Sequence, residues 1–215
     1  MSEMQNLQQN CQEISPDSGG KSHFFKRLFL SETLLEKRAS HRIAYVALLT
    51  AFAVAANVFF EFKFAEVQFS LTIVVSALIG IIIGPIFGFT ACFLGDLLGF
   101  LTNTGGYPYY PWVGIAMGCV ALISGLVING IPGKSKGFLY VKLALVCLLT
   151  FAICTVGINT TAFWLLQSSK IDYATYLLSR LFVKGQIYNS LVNYALLFFA
   201  VPVLKNIKPL RIFIS

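Results

Sequence analysis

The chain has 215 residues, of which 57% are apolar and only 12% are charged. This composition excludes an ordinary soluble domain and indicates one polytopic bundle in a membrane. The formal net charge of +7 does not indicate a nucleic-acid partner, because the basic residues lie where membrane topology would place them. The five cysteines contain no CxxC pair, so the sequence predicts neither a metal site nor a cofactor.

Three regions follow from the distribution of polar residues. Residues 1–40 are predicted to form a polar and basic cytoplasmic leader that is partly disordered. Within this leader, residues 24–38 (FFKRLFLSETLLEKR) predict either a short interfacial helix or a flexible basic segment. Residues 41–206 are predicted to form the membrane domain, and 207–215 a short cytoplasmic tail.

Apolar segments fill the region between the leader and the tail. They are Ile43–Phe60, Val67–Ile83, Ile86–Leu101, Trp112–Ile128, Leu143–Gln167 and Gly185–Leu204. A membrane span needs roughly 20 residues, and somewhat fewer suffice inside a bundle. The sequence therefore predicts an all-α membrane protein with six transmembrane helices.

The basic residues orient these helices. Twelve lysines and arginines fall on one side of a six-span arrangement, in the leader, in the segment Lys134–Lys142 and in the tail. The other side holds only Lys63, Lys170, Arg180 and Lys184. Basic residues favour the cytoplasmic side, so both termini are predicted to be cytoplasmic. The outer loops are then Glu61–Glu66, Thr102–Pro111 and Ser168–Ser179.

An acid interrupts the apolar stretch Gly84–Trp112, which reads GPIFGFTACFLGDLLGFLTNTGGYPYYPW. A carboxylate in a membrane helix is costly, so Asp96 is expected to face protein or a water-filled cavity, as a ligand contact or as a structural hydrogen-bonding acid. The loop that follows places three tyrosines beside two glycines. This composition favours binding of a flat heterocycle between aromatic walls, and anchoring of the loop at the membrane surface is the alternative. The candidate walls and polar contacts are Gln68, Asn103, Tyr107, Tyr109, Tyr110 and Trp112.

Polar residues also mark the last two segments. Arg180, Lys184 and Tyr188 recur at i, i+4 and i+8, which predicts one shared helical face, and Asn189 lies on the adjacent face. The two cations predict either capture of an anionic ligand or snorkelling to lipid headgroups. Asn159 and Trp164, near the outer end of the fifth segment, are predicted either to line the pocket or to form hydrogen bonds between helices.

Small residues line one face of the first segment. Ala47, Ala51 and Ala55 are four residues apart, so another helix can approach that face closely. This pattern predicts either a docking surface for a partner subunit or internal packing of the bundle.

Taken over roughly residues 40–206, the chain resembles the S component of an energy-coupling-factor (ECF) vitamin transporter, and most of all the folate-specific branch. The alanine face, the run GPIFGFTACFLGDLLG, the following TNTGGYPYYPW and the basic pair before the last helix carry this resemblance. It implies a substrate-binding subunit in the bacterial cell membrane, without enzyme activity or an ATPase of its own. A shared transmembrane scaffold, docked on Ala47, Ala51 and Ala55, and two ATPases would drive uptake.

The resemblance implies a vitamin pocket formed by the outer loops and the outer halves of the last three helices. Folate fits the residues there, because its glutamate tail offers carboxylates to Arg180 and Lys184. The expected substrate-binding residues are Gln68, Asp96, Asn103, Tyr107, Tyr109, Trp112, Asn159, Trp164, Arg180, Lys184, Tyr188 and Asn189. The alternatives are an S component for riboflavin, pantothenate or a queuosine precursor, and a membrane assembly protein without a ligand.

Overall fold

The protein is described by a computed structural model, which covers residue 31 and residues 38–59, 61–64, 67–102, 108–131, 135–167 and 171–206. The helices are α1 (Ala39–Phe59), α2 (Thr72–Ile83), α3 (Pro85–Thr102), α4 (Pro111–Gly130), α5 (Lys136–Thr150), α6 (Thr161–Gln167), α7 (Tyr173–Leu178) and α8 (Gln186–Asn206). The π-helical segment Phe151–Thr160 joins α5 to α6 without a break, and a second one, Ser179–Val183, extends α7. Two strands, β1 (Glu61–Phe64) and β2 (Val67–Ser70), form an antiparallel hairpin between α1 and α2.

The predicted class, a helical membrane bundle, is confirmed. Among the described residues, five helical stretches are long and apolar enough to cross a membrane: α1, α3, α4, Gly137–Leu166 and α8. The remaining predicted span contains the apolar helix α2, which has 12 residues. At about 1.5 Å per residue α2 is roughly 18 Å long, less than the ~30 Å of a bilayer core. The count of six spans therefore stays a prediction.

The hairpin corrects two predicted boundaries. Glu61–Glu66 was expected to be a loop and Val67–Ile83 one helix, whereas Phe62 pairs with Phe69 across the two strands. The last helix explains the change, because two of its asparagine side chains form hydrogen bonds with the backbone of β2. Ser70 N–H donates to Asn189 Oδ1 at 3.0 Å, and Asn193 Nδ2 donates to the Ser70 carbonyl at 2.6 Å. Helix α2 begins only after these bonds.

Helix α2 is the centre of the core. Ten of its twelve residues are buried, and α4 and α3 pack closely against it. The closest approach is at Gly80, where a Cβ atom would lie 1.9 Å from the Ala121 carbonyl oxygen of α4. Protein, not lipid, therefore surrounds α2, so its length need not match the bilayer.

Helix ends opposite the hairpin are closed by polar side chains. Lys142 is buried and its Nζ donates to the Ile128 carbonyl at 3.1 Å, one of the last carbonyls of α4. A cation at a helix C-terminus is favourable, so Lys142 can be buried within α5. This helix begins at Lys136, before the predicted Leu143. Ser31 of the leader donates through its N–H to Ile83 O and through Oγ to Ile82 O, at 2.9 and 2.7 Å. The predicted interfacial helix at 24–38 lies almost wholly outside the described residues.

The predicted outer loop Ser168–Ser179 is partly helical. Asp172 accepts from Ala174 N–H at 3.1 Å and caps α7, which begins at Tyr173. The helical turns end at Lys184, and Gly185 adopts a positive φ of 71° before α8. The prediction that Arg180, Lys184 and Tyr188 share one helical face is therefore wrong, because this break redirects the chain.

Candidate ligand-binding site

A cavity of about 910 Å³ lies at the end of the bundle that carries the hairpin. Its volume falls within the range of ~300–1,000 Å³ that small-molecule sites occupy. The polar and aromatic side chains that line it are Asn57, Ser70, Thr72, Asp96, Phe100, Tyr109, Tyr110, Thr155, Asn159, Phe163, Arg180, Lys184, Gln186 and Asn189. Helix α4 adds apolar residues to the lining, among them Met117 and Val120, so every long helix of the bundle contributes to the cavity.

Asp96 lies on one wall of this cavity and is held by protein. Asn57 Nδ2, from α1, donates to Asp96 Oδ1 at 3.1 Å. Gly114 of α4 lies beside the carboxylate, since a Cβ there would be 3.0 Å from both Asp96 Oδ2 and the Tyr109 hydroxyl. Burial, reinforced by the neighbouring Asp96, raises the pKa of Tyr109 to about 12. The phenol is therefore a neutral hydrogen-bond donor at physiological pH.

An aromatic cluster adjoins the cavity, and two of its members, Tyr110 and Phe163, line it. The rings of Tyr110, Trp112 and Phe163 lie 5.0 to 5.5 Å apart, and both Tyr110 and Trp112 approach Phe163 edge-on. The Arg180 guanidinium lies over the Phe163 ring, with Cζ 4.3 Å from the centroid. This arrangement links the segment before α4, helix α6 and the turn after α7.

Two cations, Arg180 and Lys184, enter the cavity beside this cluster. The Arg180 Nε is buried without a hydrogen-bond partner, and its Nη1 reaches only the Tyr176 hydroxyl at 3.5 Å. Asn159 Oδ1 is also buried and without a partner. Buried polar groups in proteins are almost always bonded, so these two atoms are available to a polar ligand in the cavity.

Of the nine predicted binding residues whose side chains the structure describes, six line the cavity. Those that line the cavity are Asp96, Tyr109, Asn159, Arg180, Lys184 and Asn189. Asn189 differs from the others, because its Oδ1 already accepts from Ser70 N–H and from Asn193 Nδ2. Its hydrogen bond to Ser70 stabilises the position of the hairpin against α8.

Other predicted residues lie elsewhere. Trp112 stands behind the cavity wall as part of the aromatic cluster. Trp164 turns away from the cavity, since its Nε1 donates to the Ile171 carbonyl at 3.1 Å and its ring packs on Tyr173. Tyr188 is 54% exposed and does not line the cavity. Gln68 lies on β2 with only its backbone described, and Asn103 and Tyr107 fall outside the described residues.

Sequence reasoning missed Asn57 and Phe163. Asn57 had a detectable signal, because it is a polar residue near the end of an otherwise apolar segment. Phe163 had none, since it is one of 20 phenylalanines in the chain. Within the described part of the chain, no group of three or more His, Cys, Asp or Glu side chains could hold a metal ion.

The alanine face of α1 lies outside the cavity. Ala47 and Ala51 are exposed and Ala55 is half-buried, whereas Ala53 and Ala56 pack into the bundle. The spaced alanines and the packing alanines therefore occupy different faces of the same helix.

Comparison with known proteins agrees with this architecture. The family of S components of ECF-type riboflavin transporters matches residues 37–208. A solved structure described as FolT bound with folic acid is 21% identical, covers 74% of this chain and 90% of its own, and superposes with a TM-score of 0.57. The likeness to FolT shows a shared fold. No curated protein matched significantly. The family match spans nearly the whole membrane domain, and the chain therefore belongs to the ECF-type riboflavin transporter S-component family, a family of substrate-binding transport subunits and not of enzymes.

Proposed function

We propose that this S component binds folate and delivers it inward for an ATP-driven importer. The observation that carries the assignment is the pair of cations in the cavity, Arg180 and Lys184, with the Arg180 Nε buried and without a partner. Folate carries carboxylates on its glutamate tail, whereas riboflavin is uncharged at neutral pH. An anionic ligand would supply the missing partner.

Electrostatics supports an anion at this position. Arg180 is half-buried, and a charge partly withdrawn from water is stabilised by a counter-charge. Its planar guanidinium matches both oxygens of a carboxylate. Lys184 adds a second positive charge to the same cavity. The described residues include no carboxylate within ion-pair distance of either cation.

The other wall suits a flat heterocycle. Phe100 and Tyr109 place their rings 5.1 Å apart, and Asp96 and Asn57 provide hydrogen-bonding groups beside them. A pterin ring has an apolar face for the aromatic side chains and an edge of donors and acceptors for the polar ones. The cavity can thus hold both ends of one folate molecule.

Riboflavin is the second candidate, because the family that matches the chain is described as riboflavin transporters. Its hydroxylated chain would bond to neutral groups such as Asn159 and Thr155, which line the same cavity. Under this alternative the two cations would contribute little to binding.

Titration calorimetry of the purified protein separates the two vitamins. We expect folate to bind more tightly than riboflavin, and Arg180→Ala or Lys184→Ala to weaken folate by roughly 10- to 100-fold. That range follows from ~1.5–3 kcal/mol for a charge-assisted hydrogen bond, at ~1.4 kcal/mol per factor of ten. A pterin without the glutamate tail should be affected much less, and Arg180→Lys should recover part of the loss.

The matched control is Tyr188→Ala, whose side chain is exposed and does not line the cavity. This variant should bind folate as the parent does. Tighter binding of riboflavin by the parent, with unchanged affinity in both cation variants, would reject the folate assignment.

We further propose that the protein resides in a bacterial plasma membrane with both termini in the cytoplasm. The cavity would then open outward, on the side with few lysines and arginines. The exposed alanines of α1 would dock the transmembrane scaffold that carries the two ATPases. Their position away from the cavity supports this division of surfaces.

A further inference from the structure

The Arg180 guanidinium lies over an aromatic ring, and its hydrogen bond from Nη1 to the Tyr176 hydroxyl is long, at 3.5 Å. Its Cζ lies 4.3 Å from the centroid of Phe163, well inside the ~6 Å reach of a cation–π contact. A phenyl face attracts the cation but accepts none of its conventional hydrogen bonds. Apart from the long bond to Tyr176, the in-plane N–H groups of Arg180, that of Nε included, keep their donor capacity for a carboxylate.

The Phe163 ring makes edge-to-face contacts with two further rings. Tyr110 approaches it at 5.2 Å with an interplanar angle of 68°, and Trp112 at 5.5 Å with an angle of 88°. Edge-to-face contacts of this kind are the favoured arrangement of aromatic pairs. Two supports from the segment at the start of α4 therefore set the plane of the ring, and the ring sets the position of the guanidinium.

We propose that Phe163 is a positioning residue that pre-orients Arg180 for the carboxylates of the ligand, and that it determines the preference of this site for an anionic tail. The proposal rests on the proposed function, since it assumes a carboxylate-bearing vitamin. Loss of the ring would free the guanidinium to move, so a carboxylate would have to order it upon binding. An uncharged ligand would not detect this change.

Calorimetry with folate and with its dimethyl ester, which lacks the negative charges, tests the proposal. We expect Phe163→Leu to weaken folate by roughly 2- to 10-fold, because ordering one rotamer-rich side chain upon binding costs ~0.5–1.5 kcal/mol. Affinity for the ester should stay at the parent value. Phe163→Tyr keeps an aromatic face and should restore folate binding.

The control for losing any aromatic ring is Phe89→Leu, because Phe89 packs on Phe93 and does not line the cavity. It should leave both affinities unchanged. Equal weakening of folate and ester by Phe163→Leu would show a merely structural role and overturn the proposal, as would no effect on folate.

A ligand-free measurement keeps this inference separate from the folate assignment. In arginine-labelled protein, the NMR signal of the Arg180 Nε–H, assigned with Arg180→Lys, should show an upfield ring-current shift. The shift should vanish in Phe163→Leu and persist in Phe163→Tyr. If the parent does not distinguish folate from its ester, the proposed function fails. A ring-current shift that survives Phe163→Leu rejects the positioning role itself.

Discussion

At the scale of single residues, the polar side chains in the apolar helices fall into two groups. Asn193 is fully buried and satisfied, since it bonds to the Ser70 carbonyl, to Val74 N–H and to Asn189. Arg180 Nε and Asn159 Oδ1 are buried and lack partners. The first group stabilises the fold, and the second is available to a ligand.

Asn193→Leu tests the structural group. The leucine has similar bulk but leaves the Ser70 carbonyl and the Val74 N–H without their partner, and each orphaned buried group costs ~1–3 kcal/mol. We expect a marked loss of stability, measured as a lower midpoint of thermal unfolding in detergent. Asn129→Leu is the comparison, because it removes a single bond, to the Ile81 carbonyl at 3.0 Å. A loss for Asn193→Leu no greater than for Asn129→Leu would contradict this account.

At the scale of elements, the crossing of α2, α3 and α4 depends on the absence of side chains. A Cβ on Gly88 would meet Gly80 Cα at 2.8 Å, and one on Gly125 would meet Gly80 O at 2.7 Å. Three glycines thus bring three backbones into direct contact. In a membrane there is no hydrophobic driving force between helices, so close van der Waals packing of this kind holds them together. Helix α2 can be short because this contact buries it.

Gly80→Ala should accordingly destabilise the bundle. Its Cβ would lie 1.9 Å from a backbone oxygen of Ala121, which cannot rotate aside. Overpacking costs typically ~1–3 kcal/mol, and a backbone clash should reach or exceed the upper end, readable as loss of folded protein on size exclusion and in thermal unfolding. Gly130→Ala has nothing within 4 Å of its Cβ. It should be neutral or slightly stabilising, and equal behaviour of the two variants would refute the close crossing.

At the scale of the whole molecule, the two ends and one side of the bundle differ in structure. The cavity lies at the hairpin end. At the other end, Lys142 of α5 donates to a carbonyl at the end of α4, and Ser31 donates to carbonyls at the end of α2. The face with Ala47 and Ala51 is exposed and contributes nothing to the cavity. Mutation should therefore separate ligand binding from the proposed docking of the scaffold.

Ala51→Trp tests this separation. The bulky ring should block close approach of a scaffold helix, so vitamin binding should persist while uptake with the partner subunits is abolished. The control is Leu48→Trp, which adds an indole at an exposed site of the same helix, about 100° around the axis from Ala47. If uptake survives Ala47→Trp, Ala51→Trp and Ala55→Trp alike, this face does not dock the scaffold.

The sequence by itself determined the class of the molecule, because hydropathy and charge act locally along the chain. It predicted the apolar helices, the membrane class and the family, and it singled out Asp96, Arg180 and Lys184, which all line the cavity. Ionisable residues in apolar surroundings are conspicuous wherever they point.

Only the tertiary structure decided which polar and aromatic residues meet. The hairpin replaces the first turns of a predicted helix because Asn189, 119 positions away, bonds to Ser70. Trp164 points away from the predicted pocket and donates to the Ile171 carbonyl, whereas the ring of Phe163, its neighbour in sequence, lies under Arg180. Both residues are aromatic and near the same helix end, so the sequence cannot separate them. Adjacent helical residues point about 100° apart, so only one of the two can face the site directly. The packing of other helices then selects which one faces the ligand.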